Sequence, residues 1–325
     1  MFDQLSDAFT RISSVHLNAL FLLGLILFVG AMGAKVFQKM RIPQVVGYII
    51  AGILLGRSGL NIINSEVIEV LVPFNYFALG LIGFMIGGEL KSEVFRRYGK
   101  QFLVILLSEG ISAFLAVFLL VGILGSLIFG HSVYYWSLGL LLGAIASATA
   151  PAATTDVLWE YKTRGPLTTT VLGIVALDDG LALVLFALAS SIAPVMLGAH
   201  SSVISAVIRP VYEIVIGVLI GLIFSAALIT ILRKYADKDK ILVFSLCSIL
   251  FALGLALIMN VDMLLAAMTM GVVLINKEVR LSKEIFKLIS GFATPFYVLF
   301  FVLVGAKFDL HVTTAGAILI AVLFL

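Results

Sequence analysis

Charge is what this sequence has least of. Only 12% of its 325 residues are Asp, Glu, Lys or Arg, about half the share in a soluble globular domain, and 62% are hydrophobic. That shortage excludes a water-soluble fold and points to an all-α, polytopic membrane protein whose first partner is the lipid bilayer. Cysteine is nearly absent: Cys247 stands alone, which excludes an intrachain disulfide, and inside an apolar run it reads as a small buried hydrophobe. The four histidines include no pair at metal-ligand spacing, so neither a metal nor a cofactor is expected. The net charge of +3 carries no message about nucleic acid, because the positions of the charges matter more than their sum. No nucleic-acid partner is expected. Residues 1–14 lack the basic start of a signal peptide.

Long apolar runs fill the rest. Breaks bearing charge, glycine or proline divide the chain into about eleven spans: 16–37, 43–57, 71–90, 101–129, 134–158, 167–189, 206–232, 241–259, 262–276, 286–306 and 312 onward. A helix needs about 20 residues to cross a bilayer, so the second and ninth spans are short and are expected to be tilted, broken or covered by protein. Seventeen of the 21 lysines and arginines fall in the odd-numbered breaks between spans. The excess of positive charge on the cytoplasmic side then puts the N-terminus outside.

A weak internal repeat is visible. Ile49–Gly56 in span two resembles Met268–Ile275 in span nine, and Phe84-x-x-x-Gly88 in span three resembles Phe301-x-x-x-Gly305 in span ten. Gly52 and Gly271 are 219 residues apart; Gly88 and Gly305 are 217 apart. Spans two and nine are seven apart, and an odd separation inverts topology, as in the inverted repeats of secondary transporters. Extending the offset calls for partners of spans five and six beyond Leu325, so a longer protein of about thirteen spans is expected, with the C-terminal part of its core missing here.

The two residues that cost most to place in oil are adjacent. Asp178 and Asp179 lie in the middle of span six, each at a cost of roughly 2.5–3.5 kcal/mol on insertion scales. Successive helix positions point about 100° apart, so one can face a cavity while the other faces a structural partner. Burial and like charge both disfavour the doubly ionised pair, which suits a carboxylate that binds a proton or a cation in turn. Span five reads Gly143-Ala-Ile-Ala-Ser147-Ala-Thr149-Ala-Pro151-Ala-Ala-Thr154-Thr155-Asp156. Pro151 removes a backbone donor and clashes with the carbonyl four residues back, and Ser147, Thr149, Thr154 and Thr155 can satisfy what it frees. An interrupted helix at the depth of an acidic pair offers the carbonyl, hydroxyl and carboxylate oxygens that suit a hard cation. A Pro-kinked helix packed through small residues is the plainer reading of span five alone. Asp156, at the cytoplasmic end of the span, is either a cation attractor or an interfacial charge near Lys162. Glu109, deep in span four beside Ser108 and Ser112, is either part of a path or a helix-packing hydrogen bonder.

In combination these stretches resemble the monovalent cation:proton antiporters, in the branch of the Kef-type potassium-efflux and Nap-type sodium/proton proteins. Residues 42–56 look like that family's second span and 83–90 its third; Ala148–Pro151 sits where the family unwinds a helix, and Ala176–Asp179 looks like its acidic pair. The resemblance implies an inverted-repeat fold, a homodimer, a multi-pass inner-membrane location and exchange of sodium, or potassium in a Kef-like variant, for protons by alternating access. It implies that spans in 16–100 and 206–306 serve mainly as dimerisation scaffold and those in 101–190 and 312–325 as transport core. By position, Asp179 matches the shared cation- and proton-binding carboxylate. Asp178 matches its neighbour, paired in Asp-Asp members with a lysine expected just past Leu325, and Thr149 matches a threonine at the helix break. Ala150 departs from relatives that carry Asp or Ser there. No catalytic residue is implied, since the function is transport. Two other classes are weighed. An intramembrane aspartyl protease needs its two carboxylates on facing helices, which adjacent residues do not provide; a sodium-coupled symporter would share the repeat architecture.

Overall fold

The structure is a computed structural model that describes residues 18–130, 132–149, 151–198, 203–234 and 238–309. Among these the regular elements are all helices: α1 (Ala19–Lys39), α2 (Gln44–Leu55), α3 (Ser65–Glu89), α4 (Ser92–Phe129), α5 (Val133–Ala146), α6 (Pro151–Glu160), α7 (Pro166–Met196), α8 (Val203–Lys234), α9 (Lys238–Ile258), α10 (Met263–Lys277) and α11 (Val279–Ala306). Six of the described helices are long and apolar enough to cross a membrane by length and composition. This is a multi-pass, all-α membrane protein. The expected spans one to ten each coincide with one helix, except the fifth, which the structure divides into α5 and α6. The eleventh, from 312 onward, lies outside the described residues.

The helices show outward faces of large apolar side chains, as a lipid solvent requires. On α9 these are Val243, Leu250, Phe251 and Ile258. Cys247, expected to be buried, is exposed on the same helix. In oil a small apolar thiol costs nothing on the outside, so hydrophobicity alone does not predict burial here.

Two compact units are present. The first comprises Met1–Ile82, Asp156–Lys162 and Leu288–Thr313. In it α2 and α11 touch backbone to backbone: a Cβ on Gly52 would lie 2.1 Å from the Val302 carbonyl oxygen, and one on Gly305 2.1 Å from that of Ile49. Tyr48 stacks on Phe301 beside this crossing, and the Ser58 hydroxyl donates to the Phe308 carbonyl at its end.

The second unit comprises Gly83–Thr155, Thr163–Lys287 and Thr314–Leu325. Here α3 and α10 cross in the same way. A Cβ on Gly271 would lie 2.2 Å from the Phe84 carbonyl oxygen, and one on Gly87 2.1 Å from that of Met268. The Asn276 amide donates to the Leu90 carbonyl at the end of α3. Gly52 maps onto Gly271 and Ile49 onto Met268 with the same spacing, and Gly305 maps onto Gly87, Val302 onto Phe84 and Phe308 onto Leu90 with one residue more than expected. The internal repeat is therefore present as two equivalent helix crossings. The expected pairing of Gly88 with Gly305 is off by one: Gly88 packs instead on the Phe286 ring.

Candidate functional site

The interruption of span five follows from its residues. Helix α5 ends at Ala146 with Ser147 as its C-cap, and the Ser147 hydroxyl donates back to the Ala144 carbonyl at 2.7 Å. Helix α6 begins at Pro151, a first-turn position where the missing N–H is no loss. Between them the chain is non-helical at Ala148 and Thr149. The Thr149 N–H, freed from any ladder, points to the acidic helix and donates to Asp178 Oδ2 at 2.9 Å. The Thr149 hydroxyl donates to the same oxygen. Asp178 is fully buried in α7.

This geometry joins two of the residues singled out from sequence, Thr149 and Asp178. A buried carboxylate is costly unless donors meet it, and charge-assisted hydrogen bonds are about twice as strong as neutral ones. The break in span five supplies both donors from one residue. Asp179 follows in α7, about 100° further round the helix. Its side chain, and those of Ala150 and Pro151, lie outside the described residues. Ser147 and Thr155 are buried. The role expected of Ser147, satisfying freed backbone, is visible in its bond to Ala144.

Asp156 belongs to the other compact unit. It is 7% exposed, and its described hydrogen-bonding partner is the Gln44 amide at 3.5 Å, not Lys162. One turn on, Glu160 accepts from the Gln44 backbone N–H and from the Gln38 side chain, both at 2.9 Å. Trp159 stacks on Tyr297 beside them. Sequence reading passed over Gln38, Gln44 and Glu160. The available signal was the i, i+4 spacing of Asp156 and Glu160, which places both carboxylates on one face of α6.

Glu109 lies on the flank of α4's packed face. A Cβ on its neighbour Gly110 would lie 2.6 Å from the Leu181 side chain of α7 and 3.7 Å from the Ser147 carbonyl oxygen. Thus α4, α7 and the break in span five meet one residue from Glu109. Among the described residues no group of three or more His, Cys, Asp or Glu could hold a metal ion.

Comparison with known proteins bears on the chain as a whole. The chain is 24% identical to the high-affinity Na+/H+ antiporter NhaS3 of Synechocystis over 88% of its own length and 68% of the relative's. It is 26% identical to the Na+/H+ antiporter NhaS4 of the same organism, over 90% of this chain and 73% of that one. The solved sodium proton antiporter MjNhaP1 of Methanocaldococcus jannaschii shares the fold at a TM-score of 0.73 and 21% identity, covering 94% of this chain and 73% of that one. The transmembrane sodium/hydrogen exchanger family matches residues 24–325, and this chain belongs to that family.

Proposed function

We propose that the protein is a secondary antiporter that exchanges sodium for protons by alternating access, with the Asp178–Asp179 pair as the exchange site. It is a transporter and not an enzyme: no covalent bond of the cargo changes. The observation that carries the reading is the pair of donors from Thr149 onto Asp178 Oδ2, at the point where span five is broken.

The division of labour follows from that bond. Asp178 is oriented by two donors on one oxygen, so it serves as the fixed member of the pair. Asp179, turned away by one helix position, serves as the exchanging member. Two adjacent carboxylates in low dielectric repel strongly if both are ionised. A proton or a cation relieves that repulsion, and one carboxylate cannot hold both at once. Mutual exclusion at Asp179 is what couples the two fluxes. The cargo is the cation and the proton themselves, and no cofactor enters the scheme. Homodimerisation and an inner-membrane location with the N-terminus outside belong to this same reading, and Kef-like potassium exchange is its alternative.

The test is transport in proteoliposomes carrying a pH-sensitive dye. Asp179→Asn is expected to abolish sodium-driven proton movement while the protein stays folded and monodisperse. Thr149→Val removes one charge-assisted hydrogen bond, worth about 1.5–3 kcal/mol, and should slow exchange by roughly tenfold or more. Wild-type exchange by Asp179→Asn would refute the assignment. Titration with sodium, lithium and potassium in the same vesicles decides the cation.

A further inference from the structure

Glu109 is a carboxylate without an evident use. It sits within the apolar stretch Gly99–Ile128 of α4, ten residues or about 15 Å along the axis from its start, and so inside the apolar part of a helix long enough to cross a membrane. Ionisable residues at such depth pair with one another, with backbone carbonyls, or mark proton and ion paths. The two hydroxyls best placed to serve it are committed elsewhere. Ser108 donates to the Val104 carbonyl at 2.7 Å, and Ser112 donates to the Glu109 backbone carbonyl at 2.9 Å. The packing hydrogen bond that sequence offered as the plain alternative is not found among the described residues.

Among the described residues, the two helices that pack most closely on α4 hold no counter-charge either. It lies against α5 and α7. By sequence α5 carries no Asp, Glu, Lys, Arg or His, and its titratable groups are Tyr134 and Tyr135. Tyr135 meets α4 at Gly125, about 24 Å along the axis from Glu109. The only charged residues of α7 are Asp178 and Asp179. The link at 147–149 is uncharged. On α4 itself the nearest base is Lys100, about 14 Å away along the axis. Yet Gly110, the adjacent residue, lets α4 approach Leu181, three positions beyond Asp178, and the Ser147 carbonyl at the break. Among the described residues, the Glu109 carboxylate has no basic group on α5 or α7 beside it, and it lies one residue from the place where α4 meets the break in span five.

We propose that Glu109 is a proton relay for the acidic pair. This rests on the exchange site proposed above. In the transfer the Glu109 carboxyl O–H bond breaks, the proton passes through water to an ionised carboxylate of the pair, and a new O–H bond forms there. Glu109 is then reprotonated through water that reaches it from one membrane surface, and the reverse sequence carries protons out. The cation does not bind Glu109.

The experiment uses the full-length protein in proteoliposomes, with Glu109→Gln and Glu109→Asp. Glu109→Gln is expected to slow exchange at least tenfold, to flatten the dependence of rate on pH, and to leave the cation KM within twofold of wild type. Glu109→Asp keeps a titrating group and should restore most of the rate and the pH profile. Wild-type rates in Glu109→Gln overturn the relay. So does a rise in cation KM that accounts for the loss, which makes Glu109 a cation ligand. So does a slowed rate with an unchanged pH profile, which makes its role structural. Should Glu109→Gln fail to fold, the wild-type protein decides through dicyclohexylcarbodiimide, which adds to protonated carboxyls in apolar surroundings. A Glu109 adduct that diminishes as pH rises supports the relay, and no adduct at any pH overturns it. Asp179→Asn separates the two readings: if it abolishes exchange while Glu109→Gln does not, the relay alone falls; if it retains exchange, the exchange site falls with it.

Discussion

Two turns in this chain are backbone copies with different chemistry. At 37–44 the chain leaves α1, passes Arg41 in the left-handed region at φ 59°, and starts α2 at Gln44. At 256–263 it leaves α9, passes Asn260 at φ 52°, and starts α10 at Met263. The hydrogen bonds that close the two turns match: Ile42 N–H to the Phe37 carbonyl, and Val261 N–H to the Ala256 carbonyl. The caps do not match. Asp262 caps its own helix, accepting from the Leu265 N–H at 2.7 Å. Pro43 has no side-chain acceptor to offer, and the first N–H of α2 is served by Glu160 of α6. The repeat duplicates the backbone and leaves the side chains free to differ. Where the local cap is missing, a remote helix fills the role. Helix α6, only ten residues long and too short to be stable alone, is thereby tied to α2.

The comparison is broken most severely at the glycine crossings. Gly52→Ala and Gly271→Ala each drive a methyl against a backbone carbonyl that cannot rotate away. Each should destabilise by about 3 kcal/mol, the upper end for overpacking, read as a drop in unfolding temperature in detergent. Equal drops are expected if the crossings are equivalent. A smaller effect comes one helix earlier. A Cβ on Gly47 would lie 2.7 Å from the Gly33 backbone, whereas the repeat has the buried alanines Ala266 and Ala252 at the corresponding positions. Gly47→Ala should therefore cost about 2 kcal/mol, and Ala266→Gly about 1 kcal/mol by vacating the methyl and loosening the helix, in the same thermal assay.

The caps sharpen the contrast with smaller numbers. Asp262→Ala should cost about 1 kcal/mol and raise hydrogen exchange in the first turn of α10 alone. Glu160→Gln should cost about 0.5–1 kcal/mol and raise exchange in both α2 and α6, because one carboxylate serves two helices. The smallest effect is expected at Gly254, where a Cβ would meet nothing within 4 Å. Gly254→Ala should be neutral or stabilise by up to about 1 kcal/mol.

What the sequence discloses follows from what is costly. Charges in oil stand out, so Asp178, Asp179 and Glu109 were visible at once. Pro151 among small residues announced the break in span five. Whether Asp178 meets the break was not visible, because it depends on the rotation of α7 about its axis; the structure shows that it does. The repeat was legible where glycines are forced by backbone contact, but two adjacent glycines at 87 and 88 left the register open by one residue. Its extension to α1 and α9 was hidden, since both helices are 21 residues long and end in the same turn while their residues differ. The bond from Gln44 to Glu160 spans 116 residues, and no local pattern foretells it.

The crossing of α2 and α11 has a mechanical corollary. Gly52 receives the carbonyl of Val302, and Gly305 receives that of Ile49, so each rod carries a notch filled by the other. Axial sliding would drive an oxygen into the next side chain along. The two rods are keyed together, and any displacement of one hauls its mate along as a single stiff piece.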